Sequence, residues 1–342
     1  MLKWLRREGA TQAEVGLDLG SWSCRRVGAR GLEQSCSTAV LWDLSGNWPV
    51  ETGDRAQALH GRHPAHWSFI RPFRQGVLAD FDAAEHLCRS LLGARRRKWN
   101  LLATAPALAG EVELQVLCEM LKEAGAGSVC LVPSSACVAV AAGLSPLDAA
   151  AVAVLDLGYH LMQASVFSRG TAVHHLHQVG GAHHLMQRLQ DHFLRRHWLA
   201  VGQSQLEQVL PQLTARSGQE TYLEVRGKDL QSGLPRSLMV AAWELDRWVD
   251  FTVQAVLQLL SQLIEETPPG LLQALLEQGL FLAGGLSRLR GLDSYLQQQL
   301  SLPVHLLDEP ELAVSRGLSR LLRDGPQLEA LVKSQALAGR LG

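Results

Sequence analysis

The sequence has almost no charge imbalance: 32 Lys and Arg stand against 33 Asp and Glu, a formal net charge of −1. No field of one sign draws the whole chain to nucleic acid or to an anionic membrane, so nucleic acid is not an expected partner. Cys-x-x-Cys pairs are missing, because Cys24, Cys36, Cys88, Cys118, Cys130 and Cys137 stand apart. That excludes the common zinc-ribbon and dithiol motifs, and a chain of 342 residues buries enough surface to need no disulfides. Reduced thiols and a cytoplasmic location are expected. The longest apolar runs, around 136–147 and 149–155, are interrupted by Asp148 and Asp156, short of the ~20 residues that cross a bilayer. No transmembrane helix is expected. A Walker loop and a serine-nucleophile elbow are also absent.

What is present is a globular composition, 47% hydrophobic and 19% charged, and one duplicated string. Leu-Asp-Leu-Gly occurs at 17–20 and again at 155–158, each time after a small-apolar run. Such a run reads as a buried strand ending in an acidic residue and a glycine turn. Turns of this kind aim backbone N–H groups at phosphate while a carboxylate holds hydrated Mg²⁺. Two of them, one per half-chain, suggest two similar domains around a nucleotide.

The N-terminus is a short basic amphipathic pattern. Met1, Leu2, Trp4 and Leu5 fall on one helical arc, and Lys3, Arg6 and Arg7 on the other. Without an apolar signal region or cleavage site it is expected to stay on the mature protein. Residues 1–10 are read as a membrane-contact helix with Trp4 at headgroup level. The basic stretch Arg95-Arg96-Arg97-Lys98-Trp99 suits a membrane surface or an acidic partner, or simply a solvated loop.

Between these features strands alternate with helices, which makes the chain α/β. Strands are expected at 15–20, 24–29, 99–105, 128–132, 149–157 and 281–285. Helices are expected at 83–92, 111–124, 136–142, 187–198, 241–266, 271–278, 292–300 and 311–322. The 111–124 helix should end at a Gly125 cap, and the 241–266 helix before Pro268-Pro269. The tail beyond Gly325 is expected to be loosely ordered. His174, His175, His177, His183 and His184 crowd one region without Cys or acidic partners at metal spacing. Solvated or loosely packed imidazoles are expected there, not a metal site.

Taken together, these segments resemble the MreB family of bacterial actin-like proteins, within the actin, sugar-kinase and chaperone ATPase superfamily. The most specific stretch is Ile70-Arg71-Pro72-Phe73-Arg74-Gln75-Gly76-Val77-Leu78-Ala79-Asp80-Phe81-Asp82. Others are Glu224-Val225-Arg226-Gly227-Lys228-Asp229-Leu230 with Gly233-Leu234-Pro235, then Arg290-Gly291-Leu292-Asp293 and Pro303-Val304-His305. The resemblance implies an actin-like, ribonuclease H-like duplicated two-domain ATPase fold with ATP and Mg²⁺ between the domains. Domain I would span 11–148 and 313–325, with a small subdomain at about 30–70. Domain II would span 149–312, with a small subdomain at about 182–240, leaving 326–342 as a flexible tail. It also implies filaments at the inner membrane surface, made with itself or an intact MreB paralogue, that organise cell-wall synthesis and rod shape with envelope morphogenesis proteins.

Against the family's patterns, the nucleotide residues depart. The first turn, D-L-G-T-A-N in the family, is Asp18-Leu19-Gly20-Ser21-Trp22-Ser23 here. The second, D-I-G-G-G-T, is Asp156-Leu157-Gly158-Tyr159-His160-Leu161, so two glycines that would let backbone wrap a phosphate are gone. The family's water-positioning glutamate segment becomes Pro133-Ser134-Ser135, removing a contribution of roughly 10² to 10⁴ in rate. The purine and ribose segment becomes Glu207-Gln208-Val209-Leu210, and the adenosine turn Gly284-Gly285-Leu286-Ser287-Arg288. Asp18 and Asp156 remain as Mg²⁺ candidates. Hydrolysis is therefore not expected, and three readings follow: a membrane-associated filament protein, a nucleotide-independent pseudo-ATPase that caps or joins an intact MreB or scaffolds envelope proteins, or an ATPase with an unusual site.

Overall fold

The computed structural model describes residues 13–93, 98–107, 109–145, 151–169, 171–215 and 221–338. The expected membrane helix at 1–10 and Arg95, Arg96 and Arg97 lie outside the described residues. Two five-stranded sheets carry the architecture. The first runs, edge to edge, Gly31–Ser37, Ser23–Gly28, Val15–Leu19, Trp99–Ala105, Ala126–Pro133. The second runs Thr171–Val179, Leu161–Ser168, Val152–Leu157, Leu280–Ala283, Val304–Leu306. Each sheet is thus three consecutive strands followed by two later ones in the same order, so the duplicated string marks a duplicated topology. In the first sheet the three consecutive strands are antiparallel and the later two pair in parallel. Parallel pairing needs crossovers, which the helices supply.

Alternation along the first strand sets its two faces. Val15 and Leu17 join Leu101 and Ala103 in a core closed by the helices Phe81–Leu92 and Glu111–Glu123. Gly16 and Asp18 turn the other way, toward the helix Ala313–Arg323, where Leu322 and Ser315 meet them. That helix crosses Ser134–Ala141 so closely that a Cβ on Gly317 would lie 1.9 Å from the Cys137 carbonyl oxygen. A smaller sheet, Trp48–Thr52, Val40–Asp43, Trp67–Ile70, has its own core of Ala39, Leu41 and Ala56. Another, Leu199–Ala200, Tyr222–Asp229, Pro235–Ala241, lies in the second half. The described residues form two compact units, one from within 1–154, 165–175 and 312–342, the other from within 155–164 and 176–311. No helix among the described residues is long and apolar enough to cross a membrane.

Three expectations are corrected. The tail after Gly325 forms a helix, Gly325–Ala338, because Leu328 and Leu331, three residues apart, are both buried. Trp99 is not held out toward a surface: it opens its strand, packs on the first core, and is covered by the Arg26 guanidinium at 4.8 Å. His175 is packed rather than solvated, with its Nδ1 2.7 Å from the Ser165 hydroxyl and Phe167 edge-on at 5.6 Å. No disulfide joins the six cysteines, and burial pushes the Cys36 and Cys130 pKa values up to about 12, so little thiolate forms there at neutral pH.

Two outcomes follow. Gly317→Val must push apart two backbones, so its denaturation midpoint should fall by the equivalent of about 3 kcal/mol; an unchanged midpoint would contradict the close crossing. Burial, helped by neighbouring His174, lowers the His175 pKa from 6.5 to about 4. The unfolded chain therefore takes up this proton first, and stability present above about pH 6.5 is lost as pH falls toward 4. Urea midpoints measured across that window should fall less steeply in His175→Gln than in the parent, the difference being on the order of 3 kcal/mol.

Candidate functional site

The first turn is the loop of a tight hairpin. Val15–Leu19 and Ser23–Gly28 pair so that Asp18 faces Arg25 and Leu19 faces Cys24. The Gly20 N–H donates to the Ser23 carbonyl at 3.2 Å, and a Cβ at Gly20 would sit 2.6 Å from that oxygen. Thr38 clamps the loop from the third strand's end: its hydroxyl donates to the Gly20 carbonyl at 2.6 Å and its N–H to the Trp22 carbonyl at 2.8 Å. Trp22, where the family has alanine, lies under the Arg71 guanidinium at 4.4 Å. Arg71, from the most specific family string, donates to the Thr38 carbonyl at 3.2 Å and to Gln57 Oε1 at 2.8 Å. Beyond Arg71 the stack continues through Phe69 at 5.4 Å to His60, 4.1 Å further. Burial and the Arg71 charge lower the His60 pKa, favouring the neutral imidazole beside the cation. Ser21 and Ser23 flank the loop half-buried.

Asp18, the first Mg²⁺ candidate, is only 6% exposed. Its Oδ2 accepts from Arg25 Nη1 at 3.3 Å and from the Ser315 hydroxyl at 2.6 Å. The pair is nearly dry, with side chains 14% and 9% exposed for Arg25 and Asp18, so the guanidinium supplies the countercharge that the carboxylate requires.

The second turn closes in the same way, the Gly158 N–H donating to the Leu161 carbonyl at 2.9 Å. Its outward carbonyls then cap a helix. Gly158 and Tyr159 accept from the Ala182 and His183 N–H groups, at 3.1 and 2.8 Å, at the start of Gly181–His197. Gly181 has to be glycine, since it sits at φ +52 and a side chain there would meet the Gly158 oxygen at 2.3 Å. The side chains that replace glycine gather over this junction. Tyr159, His160 and His183 contact one another with ring centroids 4.5 to 5.2 Å apart, and His184 lies 6.1 Å from His183. Gln203 donates to the Tyr159 hydroxyl at 3.4 Å. Asp156 is half-buried at the end of its strand.

The adenosine-turn residues are brought against this turn. Gly284, at φ +90, lies so close to Leu157 that a Cβ would fall 2.3 Å from its carbonyl oxygen. The short helix Gly285–Arg288 follows, with Leu286 and Ser287 buried, the Ser287 hydroxyl bonded to the Ala283 carbonyl, and Arg288 paired with Glu311 at 3.6 Å. The 207–210 segment is divided: Glu207 and Gln208 are exposed, whereas Val209 and Leu210 are core residues at 0% and 6% exposure. In the first sheet, Pro133 ends its strand and Ser134 opens a helix, with Ser135 fully buried beside it. No carboxylate stands in this segment.

Arg25, Thr38, Ser315 and Gln203 escaped the sequence reading. Arg25 had a signal, since a hairpin turning at Gly20 puts it opposite Asp18. Ser315, 297 residues from Asp18, had none.

Residues 12–330 match the model of the MreB/Mbl protein family. The cell shape-determining protein Mbl of Bacillus subtilis is 25% identical over 317 residues, 90% of this chain and 95% of that protein. The cell shape-determining protein MreB of Escherichia coli K12 is 26% identical over 335 residues, 94% of this chain and 96% of its own. Among solved structures, MreB5 of Spiroplasma citri bound to AMPPNP superposes with a TM-score of 0.83 at 21% identity, covering 91% of this chain and 96% of that one. The MamK double helical filament gives 0.71 at 21% identity, over 90% and 98%. The fold is therefore actin-like, and over nearly its whole length this chain belongs to the MreB/Mbl family.

Proposed function

We propose that the chain is an MreB-type cytoskeletal protein that forms or joins filaments on the inner face of the cell membrane, organising cell-wall synthesis and rod shape without an ATP cycle. Its curated relatives are cell shape-determining proteins, and a structural neighbour forms a double helical filament. Domain I is taken as 11–148 with 313–325, and domain II as 149–312. Residues 1–10 provide the membrane contact, and polymerisation multiplies such weak anchors into stable attachment.

The absence of an ATP cycle rests on the Asp18, Arg25 and Ser315 contact. Neighbouring MreB5 structures hold AMPPNP or ADP, but Mg²⁺ with a triphosphate fits these residues poorly. A Mg²⁺ ligand must offer its carboxylate oxygens to the ion's hydration shell, and here a guanidinium and a hydroxyl already hold Oδ2. The Gly158 and Tyr159 carbonyls occupy the first amides of the neighbouring helix, which in a phosphate site would face the anion. Without a carboxylate in 133–135, nothing there orients an attacking water. The same ion pair also favours a second reading, in which the chain is a pseudo-ATPase that caps or joins filaments of an intact MreB.

Full-length protein titrated with a fluorescent ATP analogue and Mg²⁺ should show no saturable binding at millimolar nucleotide. Its sedimentation with anionic liposomes should be the same with and without ATP. Micromolar binding that ATP competes away would restore a nucleotide-gated filament. Pelleting only in the presence of an intact MreB would select the second reading. Arg25→Met leaves a buried carboxylate without its counter-ion, and its unfolding free energy should drop by about 3–5 kcal/mol.

A further inference from the structure

Away from the two turns, three metal-ligating side chains converge near the end of the Gly181–His197 helix. His192 and His197 come from that helix, and Glu244 from the short helix Ala242–Glu244 that precedes Asp246–Glu266. One donor atom of each lies within 4.8 Å of the other two. The atoms concerned, His192 Nε2, His197 Nε2 and Glu244 Oε2, are buried and lack a hydrogen-bond partner. Burying such atoms costs each its hydration, which the Arg196 contact at 3.2 Å offsets for Glu244 Oε2 alone.

The helix end explains how two histidines five residues apart can meet. Trp198 adopts the left-handed conformation, φ 54, and its N–H donates to the Phe193 carbonyl, five residues back. That widened last turn brings the His192 and His197 rings to 5.7 Å between centroids. His197 Nε2 and Glu244 Oε2 are already 3.4 Å apart, close to the ~3.3 Å between donors 2.0–2.1 Å from a tetrahedral centre. The remaining donor distances are at most 4.8 Å. One competitor is present: Arg196 Nε lies 3.2 Å from Glu244 Oε2, on a side chain 62% exposed and free to swing into water.

We infer that His192, His197 and Glu244 form a binding site for a divalent transition metal of the zinc class, with water as the fourth ligand. Two imidazoles and one carboxylate favour such an ion over Mg²⁺ or Ca²⁺, which take oxygen donors. The ion ties the end of one helix to the entrance of another across some fifty residues of chain. It displaces Arg196 and stabilises this half of the molecule by binding the folded state alone. The site is separate from the nucleotide residues and stands whether or not ATP binds.

The test is zinc competition against a chromophoric chelator, using full-length protein stripped of metal. The parent should withhold one zinc per chain and melt at a higher temperature with zinc than without. His192→Ala/His197→Ala and Glu244→Gln should each bind at least tenfold more weakly and lose the melting shift. Arg196→Ala, an exposed change that spares the fold, should bind several-fold more tightly. Cobalt in the parent should give tetrahedral visible bands without thiolate charge transfer, separating this site from the cysteines. No withheld zinc, equal affinity in the parent and both ligand variants, or a thiolate band would overturn the assignment.

Discussion

One carboxylate oxygen, Asp18 Oδ2, joins both strands of the first hairpin to a helix near the other end of the described chain. It receives a guanidinium from the adjacent strand and a hydroxyl from a helix 297 residues later. A buried anion must be compensated, and the compensation decides what else the carboxylate can do. Because Ser315 is one of the partners, the returning helix Ala313–Arg323 is held at the level of Asp18. On that same face the Ser319 hydroxyl donates to the Gly28 carbonyl, while Gly317 lies on the opposite side of the helix and meets Ser134–Ala141. The interaction that occupies the first phosphate-type turn is therefore also part of what closes the first sheet.

The two turns have become self-contained by different means. At the first, Thr38 bonds both loop carbonyls and Arg71 stacks on Trp22, tying the loop to the smaller sheet through Phe69 and His60. At the second, tyrosine and histidine rings pack over a helix start that the turn carbonyls cap. Large side chains occupy both turns while the Gly20, Trp22, Gly158 and Tyr159 carbonyls accept hydrogen bonds from within the protein. Cation–π and ring contacts of about 0.5–1.5 kcal/mol each add to that pairing. The turns thus use these carbonyls, and the Gly20 and Gly158 N–H groups, internally.

Much of the fold was legible because buried strands and amphipathic helices carry their own pattern. The strand Trp99–Ala105 and the helix Leu292–Leu300 fall where periodicity put them, and Gly125 has the positive φ expected of a helix end. Misses came where local pattern is weak. The Gly181–His197 helix starts six residues before the expected 187, since histidine is a poor helix former and its start is set by carbonyls of a distant turn. The Gly325–Ala338 helix depends on burying two leucines against the rest of the first unit.

From sequence alone came the α/β class, the duplication, the family and the list of residues that depart from the family's nucleotide pattern. Each of these is written in short runs, in which spacing and residue type are enough. What those residues touch was decided by tertiary structure alone: that Asp18 is neutralised, that Val209 and Leu210 are core, and that His192, His197 and Glu244 meet. Such contacts join residues tens to hundreds of positions apart, and strand register and helix crossing fix them at a resolution of a few ångströms. No local spacing carries that information.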